Sequence, residues 1–296
     1  MECRLYFTIY ICIYFCSRAQ TKVAYSKGSE ILSKTSVANA LPNDEGKAIE
    51  NSINDVSTNI PKATYPFVVS IQRNDAGKYT HLCGGSILNK HFVLTAAHCT
   101  LKPRQLLAKE LSVLAGSTKL FDKNAKRFQV KAMKKHPQFI PLKGNDILLL
   151  QVDPEIPIDN IRFDTIDYRN STRKSGGLDT FLLGWGRTES NKPKDLEVIP
   201  FKSLDDKKCF LDFRFRYLTN SEICAMNPKG PRGACDGDSG GPLVDESQQS
   251  LYGLLSYGRT PCEIGKPFAF TRISVYVDWI EQQMANMLKM NAKSIK

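Results

Sequence analysis

Apolar residues fall in short runs along most of the chain, and polar clusters cut the runs apart. Phe67–Gln72, Gly85–Leu88, Phe92–Thr95, Leu111–Ala115 and Phe128–Met133 read as strands, followed by Ile147–Val152, Thr180–Leu183, Pro242–Val244 and Leu251–Ser256. They are rich in Val, Ile, Leu and Phe, and Gly, Asn, Asp, Pro and Lys bound them. Many short strands at fairly regular spacing, with little helix, predict an all-β barrel or sandwich. The end of the chain departs from this texture. Val275–Leu288 places Val277, Ile280, Met284 and Leu288 at helical spacing, so a C-terminal α-helix is expected there. Residues 289–296 then read as a frayed basic tail.

The strand texture begins only near Tyr65. Leu5–Cys16 is an apolar run behind Arg4, and Ser17 and Ala19 supply the small residues of a cleavage site. Residues 1–19 are therefore expected to be a secretory signal peptide, cut between Ala19 and Gln20. The run falls short of the ~20 residues of a membrane-spanning helix. Residues 20–52 are polar, poor in aromatics and free of cysteine, the pattern of a pro-segment or flexible linker.

The chain of 296 residues carries a formal net charge of +11. Its cations are dispersed and form no basic patch interleaved with aromatics, which argues against nucleic-acid binding. Of the 9 cysteines, Cys3, Cys12 and Cys16 lie in the leader, leaving Cys83, Cys99, Cys209, Cys224, Cys235 and Cys262. An even number in an exported chain predicts disulfides formed in an oxidising, extracellular setting, with about 15 pairings open to six cysteines. No C-x-x-C pair follows the leader, which argues against a zinc site, and no cofactor is expected.

Three segments carry candidate chemistry: Leu94–Cys99 with His98, Asn145–Leu150 with Asp146, and Asp236–Pro242 with Ser239. Acyl transfer at neutral pH needs a hydroxyl that loses its proton as it attacks. It also needs an imidazole to take that proton, and a carboxylate to fix the tautomer and stabilise the imidazolium. The glycines around Ser239 allow backbone N–H groups to face a developing oxyanion, with Gly237 and Ser239 as donors.

TAAHC, NDILLL and GDSGGP, in that order, resemble the trypsin/chymotrypsin-like serine protease family. The resemblance spans residues 53–288 and is strongest in style to secreted arthropod proteases, digestive and venom forms among them. It implies two six-stranded antiparallel β-barrels with a C-terminal α-helix, and an endopeptidase working through an acyl-enzyme. It also implies catalytic roles for His98, Asp146 and Ser239, and the pairs Cys83–Cys99, Cys209–Cys224 and Cys235–Cys262. The implied partners are a protein or peptide substrate and protease inhibitors, with a monomer as the default. Asn170-Ser171-Thr172 is a glycosylation sequon.

Two departures from the family pattern bear on function. Relatives free an Ile-Val-Gly-Gly terminus whose ammonium pairs with the aspartate before the serine, here Asp238. This chain has no such motif. Ile53, after Ser52, fits the spacing best, and Ile49 lies further away. The second departure is the primary substrate pocket. Its base matches Gly233 and Ala234, with no acid for a basic side chain. One wall matches Gly258, and the opposite wall, usually glycine, is Phe268. A phenyl ring there is expected to leave room only for small or medium apolar P1 residues, unless the ring swings outward. Tyr257 replaces the usual tryptophan, and Ser256–Gly258 are expected to pair with an extended substrate strand. The competing reading is a catalytically impaired homologue that serves as a binding or regulatory protein.

Overall fold

The computed structural model describes residues 65–101, 104–187, 195–206, 209, 218–228, 230, 232–258 and 265–294. The leader, the 20–52 segment, Ile49, Ile53 and Cys262 lie outside these residues. Among the described residues, twelve strands close into two barrels. The first contains β1 (Val68–Asp75), β2 (Lys78–Asn89), β3 (Phe92–Thr95), β4 (Leu111–Ala115), β5 (Lys126–Lys135) and β6 (Leu148–Asp153), in the order β1-β2-β3-β6-β5-β4. The second contains β7 (Asp179–Gly184), β8 (Glu197–Ser203), β9 (Glu222–Met226), β10 (Pro242–Asp245), β11 (Leu251–Tyr257) and β12 (Phe268–Arg272), in the order β10-β11-β12-β9-β8-β7. Every ladder is antiparallel. Closure leaves no free sheet edge.

The sorting of side chains follows the two-residue period of a strand. On β6, Leu148, Leu150 and Val152 fill the first barrel, whereas Leu149, with the preceding Ile147, turns outward into a second core. That second core lies between the barrels, where Phe92 and Leu94 meet Leu183, Trp185, Val244 and Leu254. Because both faces of β6 are covered, its sequence is a continuous apolar run. β5 has one covered face, and there Phe128 and Val130 alternate with exposed residues.

The expected barrel architecture is present, with three more strands than the apolar runs disclose. Pro200 interrupts β8, which otherwise alternates buried and exposed positions. β9 is five residues long and ends a turn that begins with polar residues. β12 is buried throughout, but its first residue looks from the sequence like a pocket wall rather than part of a strand.

The helix, α1, spans Val277–Ser294. It starts later than expected and runs through most of the segment read as a frayed tail. Ile280, Met284 and Met287 enter the inter-barrel core, while Leu288 is 42% exposed. The buried stripe thus steps to position 287 rather than 288, as three- and four-residue intervals both satisfy the helical period.

Cys83 bonds Cys99 with Cα atoms 6.2 Å apart, and Cys209 bonds Cys224 at 6.1 Å. Cys235 is also in a disulfide. In the chain-entropy picture a loop of this length gains about 3 kcal/mol.

Candidate active site

β3 delivers the chain into a 3-10 turn, Ala97–Thr100, that carries His98. The Cys83–Cys99 bond ties this turn to β2, so the imidazole sits on a stapled corner. Asp146 comes from the neighbouring strand, immediately before β6, whose Leu148 pairs with Thr95 at the end of β3. It follows Asn145, which takes a left-handed φ of 55°, a conformation asparagine tolerates. Asp146 is 4% exposed, and three donors satisfy its carboxylate. His98 N donates to Oδ1 at 2.8 Å, and His98 Nδ1 and Ser256 Oγ each donate to Oδ2 at 2.6 Å. A further bond from Thr271 Oγ1 to the Asp146 carbonyl, 2.7 Å long, pins the backbone. With its proton on Nδ1, the neutral imidazole offers Nε2 as an acceptor.

Ser239 lies in a tight turn after Cys235. Asp238 N donates to Cys235 O at 3.0 Å, and Gly241 N donates to Asp238 O at 2.8 Å. The turn is held from both barrels. Ser239 O accepts from Gly84 N of the first barrel at 2.8 Å, and Gly240 N donates to Leu255 O of the second at 2.8 Å. Gly240 has φ +70°, and a Cβ there would collide with Thr95 Oγ1 at the end of β3 and with Gly84 O of β2. Only glycine permits this approach.

Asp236 O accepts from Arg187 N at 2.7 Å. In a planar trans peptide, the Gly237 N–H then points away from Arg187. Neither Gly237 N nor Ser239 N has an acceptor among the described residues. Sequence reading missed His81, which braces this turn. Its Nε2 lies 2.9 Å from Gly237 O, and its Nδ1 lies 2.7 Å from Ser70 Oγ. A carbonyl only accepts, so Nε2 carries the proton and Nδ1 accepts from Ser70. The only sequence signal was a histidine two residues before Cys83.

Residues 56–280 match the family model described as Trypsin. The chain belongs to the trypsin family of serine proteases. Chymotrypsin-2 of Vespa crabro is 35% identical over 228 residues, 76% of this chain and 97% of that protein. Anionic trypsin of Bos taurus is 31% identical over 261 residues, 86% of this chain and 97% of that protein. Trypsin eta of Drosophila melanogaster is 30% identical over 224 residues, 73% and 83% of the two chains. As a member of this family the chain is a serine-type endopeptidase, and its substrates are proteins or peptides.

Phe268 and Ala234, expected to line the primary substrate pocket, are both buried. Phe268 is 4% exposed and points inward. Its ring meets Phe201 edge-on at 5.9 Å between centroids and joins the core of the second barrel with Ala234. A Cβ on Gly258 would collide with the Phe268 ring, so the ring lies directly against that wall. Gly233 is half-buried beside Ala234. Tyr257 is half-buried, and its hydroxyl donates to Glu222 Oε1 at 3.0 Å. Asn170 is exposed on a turn.

Asp238 is fully buried, and burial pushes its carboxyl up from 3.8 to about 6. Opposing this, Cys235 N donates to Oδ2 at 2.9 Å, Gly186 N donates to Oδ1 at 2.7 Å, and Arg232 attracts the charge. The native state therefore binds this proton more tightly than the unfolded chain. Stability falls as pH rises from ~4 through ~6, and the cost is fully present above that. In the uncleaved chain, an Asp238→Asn variant should gain on wild type by on the order of 3 kcal/mol between pH 4 and pH 8. Denaturant melts of both proteins at each pH measure it, and a constant difference would refute the buried ionisation.

Proposed function

We propose that the chain is a secreted endopeptidase in which His98, Asp146 and Ser239 form the catalytic triad. Ser239 Oγ attacks the scissile carbonyl while His98 Nε2 takes its proton. The tetrahedral oxyanion receives the N–H groups of Gly237 and Ser239. The imidazolium, held by Asp146, then protonates the leaving amine, and water repeats the sequence to release the acyl group. The observation that supports this reading is the three-donor clamp on Asp146, which selects a single imidazole tautomer of His98.

The inward ring of Phe268 supports a preference for small or medium apolar P1 residues. A cavity of about 840 Å³, lined by His81, Phe121, Trp185 and Gly237 among others, opens beside the oxyanion turn. It gives the residues after the scissile bond more room than Phe268 leaves before it. The disulfides fit an extracellular location. Residues 1–19 would serve as the export signal and 20–52 as a pro-segment, with Asn170 a glycosylation site. A terminus freed at Ile53 would bring an ammonium group to Asp238.

The test is labelling with a fluorescent serine-directed phosphonate, with Ser239→Ala as control and amino-terminal sequencing of each sample. Stoichiometric labelling of wild type and none of Ser239→Ala is the expected result. Folded wild type that takes no label, before or after limited proteolysis, would leave a binding protein on a protease scaffold.

A further inference from the structure

Asp238 raises an electrostatic question that the sequence leaves open, because the family's activating Ile-Val-Gly-Gly terminus is missing. Its carboxylate is fully buried with two backbone N–H donors, in the position that orders the Ser239 turn. A buried carboxylate without a cation is costly even when hydrogen-bonded.

Arg232 occupies the segment leading into Cys235. Its side chain is 24% exposed. Nη1 ion-pairs with Glu197 at the start of β8, and Nη2 lies 3.4 Å from Gly186 O. Nε is buried with no hydrogen-bond partner. Gly186 is thus gripped on two sides, by Asp238 through its N–H and by Arg232 through its carbonyl. No side chain fits there, because a Cβ on Gly186 would collide with the Asp238 carboxylate. The guanidinium reaches Asp238 through the shared Gly186 and not by direct contact; its field is the smallest of the influences on that carboxyl and favours the charged form, and a guanidinium stays charged throughout the working pH range. Glu197 shares that charge at the rim, where it is 28% exposed and water screens it, whereas the Asp238 end lies in the low-dielectric interior.

We propose that Arg232 is the internal counter-cation of Asp238, holding the Ser239 turn in its working geometry while the chain is uncleaved. Arg232 is a positioning residue that acts on Ser239 through Asp238 and Gly186. A freed ammonium terminus then raises an activity already present instead of creating it. This rests on the catalytic reading of Ser239.

The experiment compares Arg232→Lys with Arg232→Gln in the uncleaved, disulfide-intact chain. Lysine keeps the charge and loses the planar fork. Glutamine keeps a donor for Gly186 O and loses the charge. Two readouts are taken: the rate of phosphonate labelling at Ser239, and hydrogen exchange at the Gly186 and Cys235 amides, the two donors to Asp238. The expected result is labelling about tenfold slower in Arg232→Gln, equivalent to ~1.4 kcal/mol, with faster exchange at both amides. Arg232→Lys should stay near wild type on both. Equal behaviour of the two variants, or wild-type protection of both amides in Arg232→Gln, overturns the proposal. If wild type itself takes no label, the catalytic reading falls, and amide exchange still decides the role of Arg232: loss in Gln but not Lys supports it, and no difference overturns it.

Discussion

Replacing Asp146 with Asn should lower kcat by about 10⁴ while leaving the fold standing, the magnitude carried by this family's triad. Asp146 accepts from His98 N at one oxygen and from His98 Nδ1 and Ser256 Oγ at the other. An amide has one acceptor and one donor end. With its oxygen toward His98 N, the NH₂ faces Nδ1 and must find a lone pair there. The imidazole proton then moves to Nε2, the atom that has to receive the proton from Ser239. The substitution reverses the tautomer without removing volume. Steady-state kinetics at neutral pH, beside a melting curve of the same preparation, measure both quantities. A loss below about tenfold with an unchanged melting temperature would remove Asp146 from the mechanism.

The second large effect is a gain. Phe268→Gly should raise kcat/KM for substrates with Phe or Leu at P1 by about 10–100-fold, since forcing a large group into a filled core costs about 1–3 kcal/mol. Substrates with Ala at P1 should change little. The same substitution removes a ring that packs on Phe201 in the core of the second barrel. Stability should therefore fall by roughly 3–5 kcal/mol, and assays belong well below the melting temperature. A P1-varied peptide library read on wild type and variant decides the matter. An unchanged profile would show that the ring does not gate the pocket.

The site was legible in the sequence to the extent that its chemistry is local. TAAHC, NDILLL and GDSGGP each hold one residue of the proposed triad inside a recognisable stretch, so His98, Asp146 and Ser239 could be put forward without coordinates. The partners that orient them could not. Ser70 and His81 sit in unremarkable strand sequence, and their link to Gly237 O spans 156 positions from His81. Thr271 reaches Asp146 across 125 positions. Such bonds depend on how two barrels meet, and a strand's residue pattern records only which face is covered. The inward turn of Phe268 was open for the same reason. One residue beginning a buried strand reads the same whether its ring enters the barrel or leaves it. Arg232 was equally silent, because an arginine in a loop shows nothing of the carboxylate behind it.

The two barrels exchange custody of the chemistry. The acid grows from the first barrel, yet Ser256 and Thr271 of the second hold it in place. The serine grows from the second barrel, yet Gly84 of the first holds its carbonyl. Neither half owns a finished centre, although each has its own closed sheet and its own apolar interior. Bond cleavage by this molecule is therefore also a gauge of docking. A shift of one barrel against the other would break the Ser256–Asp146, Thr271–Asp146 and Gly84–Ser239 bonds together.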